Sequence, residues 1–189
     1  MLLLKNYINL YTHHSQSSQI VKIMKKYIDS NTVLVDATAG MGGDSVFFCK
    51  NFKFIYCLEK NYSCINYLEH NLEEFKNKEI FNINCIEGLK ILKYDSIYFD
   101  PPWGGKNYKL KSNLDLFLNN NNITINILDL IDSLYFYTKF IFIKVPLNFN
   151  ISKLNNMLWK HTSFPIFKYT NDNTNDNTKT IFNLIVFTK

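Results

Sequence analysis

The sequence contains no arginine: all 21 of its basic residues are lysine. Any phosphate it meets must be held by lysine point charges or backbone N–H groups, without the two-pronged fork of a guanidinium. Lysine-only basicity with abundant asparagine is what an AT-rich coding genome produces, and so is poor evidence for a binding surface. Cysteine is sparse. Cys49, Cys57, Cys64 and Cys85 form no C-x-x-C pair and have no histidines at zinc spacing, which leaves no basis for a disulfide framework or a metal site and marks them as reduced, packed thiols. No apolar run approaches the ~20 residues of a bilayer-spanning helix, and the amino terminus lacks the basic, apolar and small-residue succession of a secretory signal. These absences predict a soluble intracellular protein, cytoplasmic or nuclear, with no membrane and no metal among its partners. Nothing calls for more than a monomer.

What is present is globular. Hydrophobic residues make up 47% and charged residues 20% of the chain, which excludes a disordered or collagen-like polymer. With 189 residues it can bury roughly 70% of its unfolded surface around one core. A single domain is expected, with a helical amino-terminal extension over 1–30 and a core over 31–189. The formal charge of +5 is a modest bias toward polyanions such as nucleic acid.

The six glycines are about half the usual share and sit in three places: Gly40, Gly42 and Gly43; Gly88; Gly104 and Gly105. A chain this sparing keeps glycine where the backbone needs positive φ or close approach to a ligand. Before the first cluster, residues 32–37 (T-V-L-V-D-A) read as a buried strand. After it, Asp44 or Ser45 caps a helix over 45–50. Strand, glycine turn and helix aim backbone N–H groups at a nucleotide-like ligand. The spacing from Asp36 through Thr38 to Gly42 fits D-x-x-x-G-x-G, the pattern of S-adenosylmethionine-dependent methyltransferases, better than the dinucleotide fingerprint. Residues 53–58 form a second strand ending at Glu59, where an acid can accept both ribose hydroxyls of an adenosine. Tyr62, Ile65, Leu68, Leu72 and Phe75 recur at helical spacing. Residues 81–86 read as a third strand followed by Gly88. Methyltransferases often carry an adenine-reading Asp here; this chain has Leu89, which leaves the backbone or Glu87.

A fourth strand, Ser96–Phe99, delivers D-P-P-W-G-G over 100–105. The prolines stiffen the loop so that the Asp100 carboxylate and the Pro101 carbonyl point outward. Two acceptors beside the aromatic plate of Trp103 suit an exocyclic amino group with two N–H donors, which is a nucleobase-amine site. The competing reading has Trp103 filling core and the proline pair ending a strand.

On V-D-A-T-A-G-M-G-G, L-E-K-N, D-P-P-W-G-G-K-N-Y and the weaker K-V-P-L-N at 144–148, the chain resembles the trimethylguanosine synthase family, the RNA cap guanine-N2 methyltransferases. P-P-W-G-G is the specific element; the first motif is shared by very many methyltransferases. Strands alternating with helices and ending in an antiparallel hairpin predict a seven-stranded, mostly parallel sheet, and the resemblance implies that this is a Rossmann-like class I α/β methyltransferase. It implies S-adenosylmethionine as cofactor, held at Asp36, Thr38, Gly40, Gly42, Gly43, Asp44, Glu59, Glu87 and Gly88. It also implies transfer to N2 of a 7-methylguanosine cap on RNA, with Asp100 and Pro101 at the reacting amine, Trp103 stacked on the base, and Lys106, Lys144 and Asn148 on the substrate side. N7 methylation makes guanine cationic, and a desolvated cation over an indole gains roughly 2 kcal/mol beyond ~1–3 for stacking. Family members often have Ser where Asp100 stands and a basic residue where Leu147 stands. Another nucleobase amine, such as guanine N2 of other RNA or adenine N6, and a catalytically silent cap-binding module are the alternatives.

Elsewhere, Ser17 and Ser18 are expected to cap a helix over 19–28. In the family such a segment packs over cofactor and cap, which makes Tyr11, His13, His14 and Ser15 candidate pocket residues against the alternative of a polar lead-in. Residues 119–122 read as a polar loop, and Ile127, Ile131 and Leu134 as a helix. Residues 139–145 form an apolar strand whose Lys144 falls at the end where α/β sheets place ligands, a candidate RNA-phosphate contact. A last helix over 151–159 buries Leu154 and Leu158, and strands over 164–169 and 180–187 flank a long polar loop. Lys106, Lys109 and Lys111 are candidate cap-phosphate contacts, or a solvated face.

Overall fold

Short apolar runs that alternate with capped helices build the first half of the chain. The computed structural model describes residues 12–120, 123–168 and 179–189, with only the backbone of Lys106. Two compact units divide at the D-P-P-W-G-G loop, Met1–Phe99 and Asp100–Lys189. In the first, helix α1 (His14–Met24) precedes β1 (Val33–Asp36), α2 (Ser45–Cys49), β2 (Phe54–Leu58), α3 (Tyr62–Asn71), β3 (Lys78–Phe81), α4 (Cys85–Ile91) and β4 (Ser96–Phe99). Its strands pair in parallel, β1 with both β2 and β4, and β2 with β3. Leu34, Val35, Ile55, Cys57, Leu58, Ile97, Tyr98 and Phe99 are wholly buried, as expected of parallel strands covered on both faces.

The second unit holds an antiparallel pair, β5 (Phe117–Asn120) and β6 (Ile123–Asn126), then α5 (Ile127–Ser133), β7 (Phe140–Pro146), β8 (Lys160–Lys168) and β9 (Lys179–Thr188). Strand β9 runs antiparallel to both β7 and β8. Trp159 is buried against Tyr135 and Phe187, and its indole N–H donates to the Ile131 carbonyl at 3.1 Å. The hydrogen-bonded order β3-β2-β1-β4-β7-β9-β8 is the expected α/β arrangement, a seven-stranded, mostly parallel sheet with carboxy-terminal antiparallel strands.

Asparagine does much of the helix initiation. Asn61, Asn84 and Asn126 each accept the N–H two residues on and so cap α3, α4 and α5, satisfying a donor that the helix leaves without a partner. This corrects the third strand: it ends at Phe81, and residues expected to extend it lie in α4 behind Asn84. Helix α1 starts earlier than expected, because His13 caps it in a box with Gln16. Residues 119–120 belong to β5, while the remainder of the expected polar loop, 121–122, lies outside the described residues. The expected helix over 151–159 is only a 3-10 segment, Ile151–Asn156, capped by Asn150. Leu154 is buried there, but Leu158 is 62% exposed and Trp159 takes the buried place. Tyr11 and most of the polar loop before β9 also lie outside the described residues.

Candidate active site

In the first unit the glycine-bearing loop between β1 and α2 is fastened from several sides. The Ala37 N–H donates to the Tyr98 carbonyl (2.9 Å) and that of Ala39 to the Leu58 carbonyl (3.0 Å), while the Asn71 amide donates to the Met41 carbonyl (2.9 Å). Gly42 has φ +89°, and a Cβ there would lie 2.9 Å from Leu68 Cδ1. Glycine is therefore required both by conformation and by the close approach of α3. Gly40 has φ +55° and no neighbour within 4 Å of a would-be Cβ, so its backbone faces open space.

Glu59, at the end of β2, joins this loop. One carboxylate oxygen accepts the Gly40 N–H at 2.9 Å and the other the Asn61 N–H at 2.6 Å. Burial pushes its carboxyl above the usual value, and the N–H groups of Asn61 and Gly40 pull it part of the way back. Asp36 is buried and accepts the Ser45 hydroxyl at 2.5 Å, bracing the start of α2 from beneath the loop. Thr38 and Gly43 are half-buried within it.

Two expectations for this half are corrected. Asp44 occupies the cap position of α2 but makes no capping bond. Its buried carboxylate accepts hydroxyls from Thr12 (3.1 Å), Ser17 (2.6 Å) and Tyr98 (2.8 Å), so it fastens α1. Ser17, expected as a helix cap, is spent on that contact. Gly88 lies inside α4, where a Cβ would come within 2.7 Å of Leu58 Cδ1; its smallness is explained by packing. Glu87 is exposed on the first turn of the same helix.

The second unit opens with Asp100. The carboxylate, 23% exposed, pairs at 2.7 Å with the Lys144 ammonium from β7, whose side chain is only 7% exposed. Lys144 is thus corrected as an RNA-phosphate contact: its charge is buried and committed to a carboxylate. Its Nζ also lies 4.8 Å from the Phe182 ring centroid and 5.8 Å from that of Trp103. Trp103 is half-buried, with Tyr108 at 5.2 Å and Phe182 at 6.2 Å in tilted, edge-type contacts. Burial raises the Tyr108 phenol's pKa, against the lowering pull of Lys144. Pro101 is buried, and Gly104 and Gly105 both have positive φ with open space around them.

Asn148 serves the same loop indirectly. Its amide donates to the carbonyls of Tyr108 (2.8 Å) and Lys111 (2.7 Å), pinning the 3-10 turn Lys106–Leu110 that follows the glycine pair. Asn148 thereby supports the loop that carries Trp103. The Lys106 side chain lies outside what is described, and Lys109 and Lys111 are exposed. Sequence reading did not find Phe182, Asn71 or Tyr98. Phe182 carries no signal, being one more apolar residue of a strand; Tyr98 sat in a strand read only as the carrier of the D-P-P-W-G-G loop. Among the described residues no group of His, Cys, Asp or Glu could hold a metal ion, and no helix is long and apolar enough to cross a membrane.

A sequence model of the family described as RNA cap guanine-N2 methyltransferase matches residues 31–187. "Uncharacterized protein L320" of Acanthamoeba polyphaga mimivirus is 30% identical over 145 residues, which is 73% of this chain; the match spans 56% of that curated relative's length. Among solved structures, precorrin-6y C5,15-methyltransferase from Geobacter metallireducens superposes with a TM-score of 0.64 at 18% identity, covering 96% of this chain and 95% of its own. The Streptococcus mutans protein SMU.1697c, solved in complex with SAH, gives 0.59 at 14% identity, with coverage of 94% and 100%. An rRNA methylase from Streptococcus thermophilus gives 0.56 at 13%, with coverage of 90% and 94%. At these identities the likeness shows the fold alone.

Proposed function

The chain belongs to the RNA cap guanine-N2 methyltransferase family, and on that premise we propose that it transfers a methyl group to the exocyclic N2 amine of a 7-methylguanosine RNA cap. The observation that carries this reading is the D-P-P-W-G-G loop, in which a paired carboxylate and a half-buried indole stand together at the start of the second unit.

Family membership and the SAH-bound structural neighbour imply S-adenosylmethionine as the cofactor. The residues present suit it. The open space at Gly40 admits a ligand against the backbone, and the Glu59 carboxylate at the end of β2 has acceptor capacity beyond the N–H groups of Gly40, Asn61 and Lys60, since a carboxylate offers about four acceptor positions. The cofactor supplies a methyl group made electrophilic by its sulfonium.

What remains for the protein is orientation and charge. Asp100 accepts an N–H of the amine and stabilises the positive charge that nitrogen acquires as its new bond to carbon forms. Pro101 offers a carbonyl to the second N–H, and the proton leaves to water afterwards. Trp103 supports the base, and its π-system favours the cationic 7-methylated form. RNA phosphates, with no arginine to receive them, fall to exposed lysines such as Lys109 and Lys111.

Trp103→Ala tests this assignment. Binding of m7GTP is expected to weaken by roughly 2–4 kcal/mol, the sum of stacking and cation terms, while affinity for S-adenosylhomocysteine is kept. Trp103→Phe recovers part of the loss, and the preference for m7GTP over GTP falls toward unity in Trp103→Ala. A folded Trp103→Ala protein with undiminished m7GTP preference contradicts the cap reading.

A further inference from the structure

Lysine is rarely buried without a partner, and Lys144 is buried within β7, F-I-F-I-K-V-P, where its neighbours are apolar and buried. It is not spent on solvent or phosphate but on Asp100, at 2.7 Å. The Phe182 and Trp103 rings lie 4.8 and 5.8 Å from its ammonium, so the cation is held between a carboxylate and two aromatic rings.

We propose that Lys144 is a positioning residue for methyl transfer, fixing the Asp100 carboxylate as an oriented, ionised acceptor beside Trp103. The proposal rests on the functional reading above, in which Asp100 meets the amine. Two physical points carry it. A partly buried carboxylate held by a directional, charge-assisted bond loses the freedom to swing away from an incoming amine. A protonated carboxyl would turn a donor toward an N–H that needs an acceptor, and the adjacent cation opposes that protonation. Asp100, from the loop after β4, and Tyr108, from the turn beyond Gly105, are titratable groups that face Lys144. The Tyr108 phenol is raised by burial and therefore titrates on the alkaline side, away from the acid limb that Asp100 controls.

The test compares Lys144→Met, Lys144→Arg, Asp100→Asn and the double variant Lys144→Met/Asp100→Asn. Methyl transfer from S-adenosylmethionine to m7GpppG is followed against pH, and the Asp100 carboxyl is titrated directly by carbon-13 NMR. Lys144→Met is expected to lower kcat roughly 10- to 100-fold with cofactor affinity kept. Its acid limb moves to higher pH, because losing the neighbouring cation favours protonated Asp100. Lys144→Arg restores most of kcat and returns the limb. The double variant, which removes both charges and so leaves neither buried alone, folds and is no slower than Asp100→Asn, since the lysine has nothing left to position. A folded Lys144→Met protein with wild-type kcat and acid limb overturns the proposal, as do losses at Lys144 and Asp100 that multiply independently. If the wild-type protein methylates no nucleobase amine, the functional reading fails by itself. The NMR titration then decides the pair: Asp100 titrating at one pH in wild type and Lys144→Met overturns it, and an upward shift in Lys144→Met supports it.

Discussion

Glu59 joins the glycine loop to the end of β2 through Gly40 and Asn61, and its protonation follows from that setting. Its carboxyl is raised by burial, so a ligand that needs the ionised form should lose affinity as pH falls through a value above the ordinary one for glutamate. Calorimetric titration with S-adenosylhomocysteine should therefore weaken on acidification in wild type, and the limb should vanish in Glu59→Gln. At neutral pH Glu59→Gln is expected to cost about 1.5–3 kcal/mol of cofactor binding, the scale of a hydrogen bond to a charged group. A flat profile in wild type would contradict the assignment. The place of Glu59 just after β2 was legible because motif spacing puts it at a strand end. Asp44 and Lys144 were misjudged for the opposite reason. Their partners lie 27, 32 and 54 positions away for Asp44 and 44 for Lys144, and nothing local in the chain marks such a pairing.

At the scale of elements, α1 is tied to the start of α2 by the Ser17 hydroxyl on Asp44, and Thr12 just ahead of the helix and Tyr98 of β4 donate to the same carboxylate. Asp44→Ala strands buried hydroxyls, and an unsatisfied buried polar group costs ~1–3 kcal/mol. A drop of roughly 2–4 kcal/mol in urea-measured stability is expected, with early loss of amide-exchange protection in α1. Thr12→Val should cost only about 1 kcal/mol. Unchanged α1 protection in Asp44→Ala would show that the helix is held by apolar packing alone. Strands β1, β2 and β4 were readable as β-branched or aromatic runs before turn residues. The third strand was not, because F-N-I-N-C-I alternates with the period of a strand while Asn84 starts a helix inside it. The segment over 151–159 has helical apolar spacing, yet folds as a 3-10 turn that buries Leu154 and is followed by the buried Trp159.

For the whole molecule, the fold class followed from strands alternating with helices and a final hairpin, and the parallel first half bears that out. The same burial that builds its core silences its thiols. Cys49 and Cys85 are pushed up to about 12 and Cys64 to about 11, with Cys57 raised as well, each by burial. Since the thiolate is the reactive form, the native protein at pH 8 should leave an aromatic disulfide reagent almost unreacted, and all four thiols should appear on unfolding in guanidinium. Prompt reaction of the native protein would contradict the buried, protonated assignment.

The central claim is that the amine receiving the methyl group is N2 of a 7-methylated guanine. Incubation of the protein with methyl-labelled S-adenosylmethionine and either m7GpppA or GpppA, followed by digestion to nucleosides and chromatography, reads this directly. Label in N2-methylated 7-methylguanosine from m7GpppA, with little or none from GpppA, is the predicted result. Label on adenine N6, equal labelling of both dinucleotides, or no transfer to either would contradict the account.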